Sequence, residues 1–271
     1  MGGLAGLHDD PLITGVGIVL DARGQRVLEV RVGSETDAER LARWVSRSYG
    51  LPVQAVAVRT AAAARALLGL RAGEAIGHVA CGCFGTVGCF LVRSGQAFLL
   101  TNSHVAALEG HAHVGDLVVD VNGDAVAQLE RFTSFHPRSR HRVDAAVAEL
   151  LPGASIGSGR PFRRRRAQLG EFVVKSGAAS GISAGRVVST SYSLLVHMDR
   201  GEYLFVDQIA IEPVDSYSFS EPGDSGSFIH ADAAPYDGTG LLFAGDAEVE
   251  DTVPWTYANH VEDVWSMLRL T

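Results

Sequence analysis

A histidine, an aspartate and a serine lie in three short segments of the kind that performs nucleophilic catalysis. His104 ends the apolar run FLLTNSH, Asp144 opens the apolar run DAAVA, and Ser225 lies in the glycine-rich PGDSGS. A serine hydroxyl is a weak nucleophile at neutral pH and needs a base within hydrogen-bonding distance. The unperturbed pKa of histidine suits that task, and the ring needs a carboxylate on its other nitrogen. The three residues therefore predict a triad that attacks a carbonyl carbon.

A glycine close to the serine has a predicted role of its own. Gly223 has no side chain, so a substrate carbonyl can approach the backbone closely. The backbone N–H groups of Gly223 and Ser225 are then expected to converge on a developing oxyanion. Taken singly, each segment is also typical of an ordinary strand end, turn or loop. The order His, Asp, Ser favours the catalytic interpretation.

Together the motifs TNSH, VDAAV and GDSGS resemble those of the chymotrypsin-like serine peptidases, and in particular the bacterial trypsin-like branch. Three further stretches are similar to segments of these enzymes. They are VKSG followed by SGISAGRV (174–187), GLLFAG (240–245) and YANH (257–260). The resemblance covers roughly residues 76–271.

The resemblance implies a mainly β fold, the chymotrypsin-like double six-stranded β-barrel, with the triad in the cleft between the barrels. His104 and Asp144 would come from the first barrel and Ser225 from the second. It also implies a serine endopeptidase that hydrolyses a protein or peptide substrate through an acyl-enzyme. His104 would be general base and then general acid, Asp144 would orient it, and Ser225 would attack. Neither a metal nor a cofactor is required.

The resemblance also implies a specificity pocket. The residue six before the nucleophile lies at the base of that pocket, and here it is Phe219 instead of a carboxylate. Phe243, Ala244 and Gly245 would line the adjacent wall. We therefore expect small or apolar substrate side chains to be preferred over Arg or Lys. A small shift in the alignment is the alternative.

The elements before residue 76 form a different pattern. Val- and Ile-rich runs at 15–20, 27–32 and 53–58 predict three strands, and an apolar stripe after Ser34 predicts a helix between the last two. Residues 1–75 are therefore predicted to be a small α+β (ββαβ) unit, and residues 76–271 the two-barrel domain. The unit has no catalytic signature, and we expect a regulatory role for it.

After residue 76, short apolar runs separated by Gly, Asn-Gly and Pro predict many short strands, as in a barrel or sandwich. The predicted strands are 87–92, 97–100, 116–121, 145–150, 172–175, 185–188, 194–197 and 208–211. Apolar residues at helical spacing predict a helix over 259–270.

Composition excludes several classes of protein. The 271 residues are 46% hydrophobic and 20% charged, which is typical of a globular chain. The net charge of −8 does not favour nucleic acid as a partner. No apolar stretch reaches the ~18 residues of a membrane span, and the start does not read as a secretory signal. We therefore expect a cytoplasmic protein without a membrane partner.

Two local features have competing interpretations. Cys81, Cys83 and Cys89 are odd in number and do not have the spacing of common zinc sites, so we expect reduced, buried side chains in a strand. The run RRRR (163–166) predicts a solvated loop. Its alternatives are a protease-sensitive site, a contact for an acidic partner or a patch that responds to nucleic acid.

Two functional hypotheses remain open on the sequence. One is an active protease, switched on by a regulatory protein partner in a bacterial defence or signalling system. The other is a catalytically dormant peptide-binding or scaffold protein with the same fold. The complete triad argues against the second, because a pure binder has no use for all three groups.

Overall fold

The computed structural model describes the backbone of three strands near the amino terminus and most of the chain after residue 69. The described residues are 13–20, 26–32, 53–57, 70–154, 156, 162–214, 218–233, 237–246 and 253–270. The chain divides into two compact units, Met1–Leu68 and Gly69–Thr271.

The first unit contains a three-stranded sheet. Its strands are β1 (Ile13–Leu20), β2 (Arg26–Val32) and β3 (Val53–Ala57). β1 and β2 pair antiparallel, whereas β2 and β3 pair in parallel. A parallel pair needs a long connection that crosses back over the sheet. The helix predicted in that connection lies outside the described residues.

The second unit begins with a barrel of seven named strands. They are β4 (Ala75–His78), β5 (Gly85–Thr86), β6 (Cys89–Arg93), β7 (Gln96–Thr101), β8 (Leu117–Asp120), β9 (Ala125–Phe132) and β11 (Ala146–Leu150). The sheet order is β5-β4-β8-β9-β11-β7-β6. Because β5 and β6 are two parts of one bent segment, their pairings with β4 and β7 close the sheet as six strands. The short helix α1 (Ser103–Ala106) follows β7 directly.

A second barrel follows. Its strands are β12 (Phe172–Gly177), β13 (Gly181–Met198), β14 (Gly201–Pro213), β15 (Phe228–Ala231), β16 (Gly238–Gly245) and β17 (Thr256–His260). The order β14-β13-β12-β15-β16-β17 is closed by pairing of β14 with β17. The two-residue strand β10 (Arg140–His141) adds to β14 in parallel, and the helix α2 (Val261–Leu268) follows β17.

Alternation along the strands supplies more than one core at once. In β7, Leu99 faces the core of the first barrel, whereas Phe98 and Leu100 face an apolar cluster shared with α2. That cluster joins Val147 of the first barrel to Phe228 and Leu241 of the second, around Trp265 of α2. Side chains on a strand point alternately to opposite faces, so one strand can fill its barrel and also pack against other elements.

No helix in the described part of the chain is long and apolar enough to span a membrane.

The prediction of a mainly β fold with two six-stranded barrels is confirmed. Two boundaries are corrected. β13 is one strand of 18 residues, where the sequence predicts two short strands at 185–188 and 194–197. The C-terminal helix begins at Val261, because Asn259 and His260 still pair with β16 as part of β17.

The cysteine prediction is correct for one residue of three. Cys89 lies buried in β6, and burial raises the pKa of its thiol. Cys81 and Cys83 instead lie in the loop between β4 and β5, where Cys83 is exposed, and a disulfide joins them. The prediction of reduced, buried side chains is wrong for this pair because the chain leaves the strand after His78.

The arginine run is exposed in part, and Arg164, Arg165 and Arg166 have partners within the chain. The contacts are Arg164 over the Trp265 ring at 4.8 Å, Arg165 with Glu171 and Asp237, and Arg166 with Asp207 and Asp263. Arg142 pairs with the same Asp207 and Asp263. The run therefore fastens the segment between the barrels onto β14 and α2.

His260 predicts how stability depends on pH. It is fully buried, its Nε2 lies 2.9 Å from the carbonyl oxygen of Thr190, and its Nδ1 has no hydrogen-bond partner among the described residues. Burial lowers its pKa from the ordinary 6.5. Because the folded protein binds fewer protons here than the unfolded chain, we expect the free energy of unfolding to fall as pH drops below about 6.5.

The measurement is urea unfolding of wild type and His260→Gln between pH 7.5 and 5. When the unfolded state binds one proton more than the folded state, the free energy of unfolding changes by about 1.4 kcal/mol per pH unit. We expect His260→Gln to lose part of the wild-type dependence of this free energy on pH. His197→Gln is the control, because its side chain is 74% exposed. Equal slopes in wild type and His260→Gln would contradict the prediction.

Candidate active site

Strand register brings Asp144 to the start of α1. β11 and β7 pair antiparallel, with Ala146 opposite Thr101. Continuing that register by two residues places Asp144 opposite Ser103, the first residue of α1. Both chains leave the sheet at this point, so their side chains meet at the end of the barrel.

The Asp144 carboxylate is fully buried and receives three hydrogen bonds from α1. The N–H groups of Ser103 and His104 donate to Oδ1, at 2.7 and 3.2 Å, and Nδ1 of His104 lies 2.5 Å from Oδ2. The first N–H groups of a helix lack partners within it, and a side chain normally caps them. Asn102 at the N-cap makes no such bond and instead donates from Nδ2 to the Asp144 carbonyl at 2.7 Å. Asp144 therefore caps the helix that carries the histidine.

This contact determines which nitrogen of His104 is free. A carboxylate only accepts hydrogen bonds, so Nδ1 carries the proton and Nε2 has a lone pair in the neutral ring. Burial by itself would lower the pKa of His104, but the charge and hydrogen bond of Asp144, with Glu109 and Asp199, raise it above its ordinary value. The side chain is 24% exposed. The ring therefore has the protonation pattern of a general base.

The loop that carries Ser225 is bonded to Thr86 in β5 of the first barrel. The Thr86 N–H donates to the Ser225 carbonyl at 2.7 Å, and its hydroxyl donates to the Gly223 carbonyl at 2.8 Å. The Thr86 hydroxyl also accepts from the N–H of Ala178 at 3.0 Å. One side chain of the first barrel thus holds two stretches of the second.

Gly85 lets the histidine helix and the serine loop approach the same strand. A Cβ at this position would lie 2.7 Å from the Ser225 carbonyl oxygen and would also clash with the side chain of Val105, the neighbour of His104. Only a residue without a side chain fits between them. Gly223 is required for a different reason, because its φ of +105° is a conformation that other residues rarely adopt.

A further pair of bonds determines the direction of the Ser225 N–H. The Asp224 carbonyl accepts from the N–H of Ser227 at 2.9 Å and from its hydroxyl at 2.6 Å. In a trans peptide the N–H points opposite to the C=O. The N–H of Ser225 therefore points away from Ser227, as a backbone donor for an oxyanion must.

Asp224 itself points into the protein and pairs with Lys175. Nζ of Lys175 lies 2.6 Å from Oδ2, and neither side chain has exposed surface. The Ser180 hydroxyl donates to the same oxygen at 2.6 Å, and the N–H groups of Ala179 and Ser180 donate to Oδ1. Burial alone would raise the pKa of Asp224, but these bonds hold it below its ordinary value.

Comparison with known proteins gives matches at the level of structure. No protein-family model and no curated protein matches the chain. A Nocardiopsis protease covers 74% of this chain and 97% of its own, with a TM-score of 0.54 and 19% identity. Thermobifida fusca protease A covers 73% of this chain and 95% of its own, with a TM-score of 0.53 and 15% identity. A glutamic-acid-specific serine protease covers 73% of this chain and 96% of its own, with a TM-score of 0.53 and 18% identity. The chain has the fold of the bacterial chymotrypsin-like serine proteases.

Within this serine protease fold, the predicted pocket residues differ in exposure. Phe219 has no exposed surface, and its ring packs in the core of the second barrel. Phe243 is buried against Phe205, with ring centroids 4.7 Å apart. Ala244 is half-buried and Gly245 is exposed. A fully buried ring offers no surface to a substrate, so Phe219 acts on a pocket only by packing behind its wall.

Three residues of the site are absent from the sequence prediction. Thr86 and Glu109 have no motif that marks them, and Lys175 lies in the stretch VKSG without a predicted role; each acts across a long sequence separation. Glu109 is buried beyond α1, with a φ of +58°, and accepts from the N–H of Arg200 at 3.2 Å. Arg200 lies in the turn between β13 and β14, so Glu109 joins the histidine side of the site to the second barrel. Among the described residues no cluster of His, Cys, Asp and Glu is arranged to hold a metal ion.

The buried Lys175–Asp224 pair predicts a large loss of stability when it is broken. In Lys175→Met the Asp224 charge stays buried without its cation, and breaking such a pair costs about 3–5 kcal/mol. Arg186→Met removes the cation of the exposed pair with Glu212, which contributes about 0–1 kcal/mol. Urea unfolding at pH 7 measures both variants. Losses of equal size would contradict the structural role given to Lys175.

Proposed function

We propose that the protein is a serine endopeptidase that acts through an acyl-enzyme. Ser225 attacks the peptide carbonyl while His104 Nε2 takes its proton, and His104 then returns that proton to the leaving amine. Asp144 keeps the ring in the correct tautomer and stabilises the imidazolium. The N–H groups of Gly223 and Ser225 stabilise the oxyanion. The substrate is a protein or a peptide, and no metal or cofactor takes part.

One observation carries this proposal. Asp144 is fully buried, caps the helix that presents His104, and bonds the ring nitrogen that must carry the proton of a catalytic base. A merely structural histidine has no need of a buried carboxylate with three bonds to its own helix. The serine loop is fastened to the same barrel through Thr86, which supports the joint function of the three groups.

The Lys175–Asp224 pair supports activity of the unprocessed chain. A buried Asp next to the nucleophile needs a cation, and in secreted relatives a new amino terminus made by cleavage supplies it. Here Lys175 is that cation. In this sequence Ile76-Gly77 resembles such a new amino terminus, but Ile76 lies buried within β4, paired with Asp120 and Gly85. We therefore propose that the enzyme is active without cleavage of the peptide bond before Ile76.

The substrate and the setting are further parts of the proposal. The accessible residues of the predicted pocket, Ala244 and Gly245, carry no carboxylate, so we propose a preference for small or apolar side chains over Arg and Lys. We also propose that the unit before residue 76 responds to a regulatory protein partner. Its size and its lack of catalytic residues support this part.

A fluorophosphonate probe tests the chemistry directly. We expect wild-type protein to be labelled at Ser225, because only an activated serine attacks the probe at a useful rate. We expect Ser225→Ala to lose labelling and to lower kcat on a peptide library on the order of 10⁶-fold. Mass spectrometry of the labelled protein should give the intact chain plus one adduct.

Ser193→Ala is the matched control, because Ser193 is exposed on β13. It should be labelled like wild type. Folded wild-type protein that no condition or partner makes reactive would instead favour the dormant scaffold. Labelling only after cleavage near Ile76 would contradict activity of the intact chain.

Glu109 predicts a change in the pH profile. His104 must be neutral to act as a base, and Asp144, Glu109 and Asp199 raise its pKa. The value of kcat/KM should therefore fall as pH drops through that raised pKa. Glu109→Gln removes one of the three charges and keeps an oxygen that can accept from Arg200, so the acid limb should move to lower pH.

Glu202→Gln is the control for this variant. Glu202 lies in β14 close to the same turn, is 58% exposed and pairs with His197. Its acid limb should match that of wild type. An unmoved limb in Glu109→Gln, or an equal shift in both variants, would rule out the electrostatic role of Glu109.

A further inference from the structure

A chain of buried amide groups holds the backbone on both sides of Val143. The N–H of Asp144 donates to Oδ1 of Asn259 at 2.9 Å, and Nδ2 of Asn259 donates to Oε1 of Gln208 at 2.7 Å. Nε2 of Gln208 then donates to the carbonyl of Arg142 at 3.0 Å. Asp144, Asn259 and Gln208 have no exposed surface.

The two amide side chains come from the other barrel. Asn259 lies in β17 and Gln208 in β14, and the pairing of Ile209 with Ala258 makes 208 and 259 neighbours. Arg142 and Asp144 belong to the segment that enters β11 of the first barrel. Each end of the chain of hydrogen bonds therefore crosses from the second barrel to the first.

The bonding pattern requires amides at both positions. Asn259 must accept from Asp144 and donate to Gln208, and Gln208 must accept from Asn259 and donate to Arg142. A carboxylate has no N–H to donate, and an alkyl side chain does neither. With the Asp144 carbonyl bonded to Asn102 and its carboxylate bonded to α1, every polar group of Asp144 has a partner.

We propose that Asn259 and Gln208 are positioning residues for the triad. They hold Asp144 from the second barrel, so the barrel that carries Ser225 also determines where Asp144 and His104 lie. They touch neither the substrate nor His104 and act only through the backbone of Asp144. This inference rests on the proposed protease function, but its first readout does not require hydrolysis.

The first readout is the proton between His104 and Asp144. A proton in a short hydrogen bond to a carboxylate gives a separate resonance far downfield in the ¹H NMR spectrum, whether or not substrate is turned over. Asn259→Ala removes the acceptor for the Asp144 N–H, and we expect this resonance to shift or broaden. Gln208→Met keeps the bond between Asn259 and Asp144 but removes the acceptor for Nδ2 of Asn259. We expect the same kind of change in the resonance, but a smaller one.

The second readout is kinetic. Displacement of the His104 base slows the chemical step more than it weakens substrate binding. We therefore expect kcat to fall by about 10- to 100-fold in Asn259→Ala while KM stays within about twofold. Thr239→Val is the control, because Thr239 is a fully buried polar residue of the same barrel that bonds the Ile229 carbonyl. It should lower the melting temperature but change neither the resonance nor kcat.

The outcomes separate this inference from the proposed function. If folded Asn259→Ala and Gln208→Met keep the wild-type resonance and a kcat within twofold, the positioning role is refuted. If Asn259→Ala does not fold, Gln208→Met decides on the same criteria. If wild-type protein shows the resonance but neither labelling nor hydrolysis, the protease proposal fails, while the effect of the variants on the resonance still decides the positioning role.

Discussion

The buried carboxylate of Asp144 is the constraint on which the rest of the site depends. A carboxylate without exposed surface is very costly unless hydrogen bonds and an opposite charge compensate for the lost water. Here the compensation comes from the first turn of α1 and from the His104 ring. The group that orients the His104 ring is therefore also the group that caps the helix after β7. The hydrogen bonds of one carboxylate therefore account both for the start of α1 and for the orientation of the His104 ring.

A second buried charge organises the nucleophile loop in the same way. Asp224 draws its partners from Lys175 in β12 and from the turn that follows it, so the loop before Ser225 cannot move without exposing or unpairing a charge. Thr86 of the first barrel and Asn259 of the second each form a hydrogen bond across to the other barrel. Each barrel thereby holds a segment of the candidate site that belongs to the other, which explains how a site divided between two barrels keeps one geometry.

Prediction from the sequence succeeded where the pattern is local. The apolar runs that became β7 and β11 each contain a continuous buried stretch, and His104 and Asp144 lie next to their ends. It failed where a distant partner decides. The segment from 181 to 198 is one strand because β14 pairs along most of its length, and no local pattern shows that. Asn259 and His260 belong to a strand because β16 lies beside them, although the helical spacing of their neighbours suggests otherwise.

The sequence by itself determined the chemical groups, their order and the class of fold, because strand periodicity and short glycine-rich motifs are local properties of the chain. It also determined that position 219 lacks a carboxylate. Only the tertiary structure decided that Phe219 is buried, that Cys81 is bonded to Cys83, and that Arg165 and Arg166 pair with acids of the same chain. The partners of Asp224 and of the Asp144 backbone likewise lie dozens of residues away in the sequence. Such pairings follow from burial and strand register, which exist only once both barrels are closed.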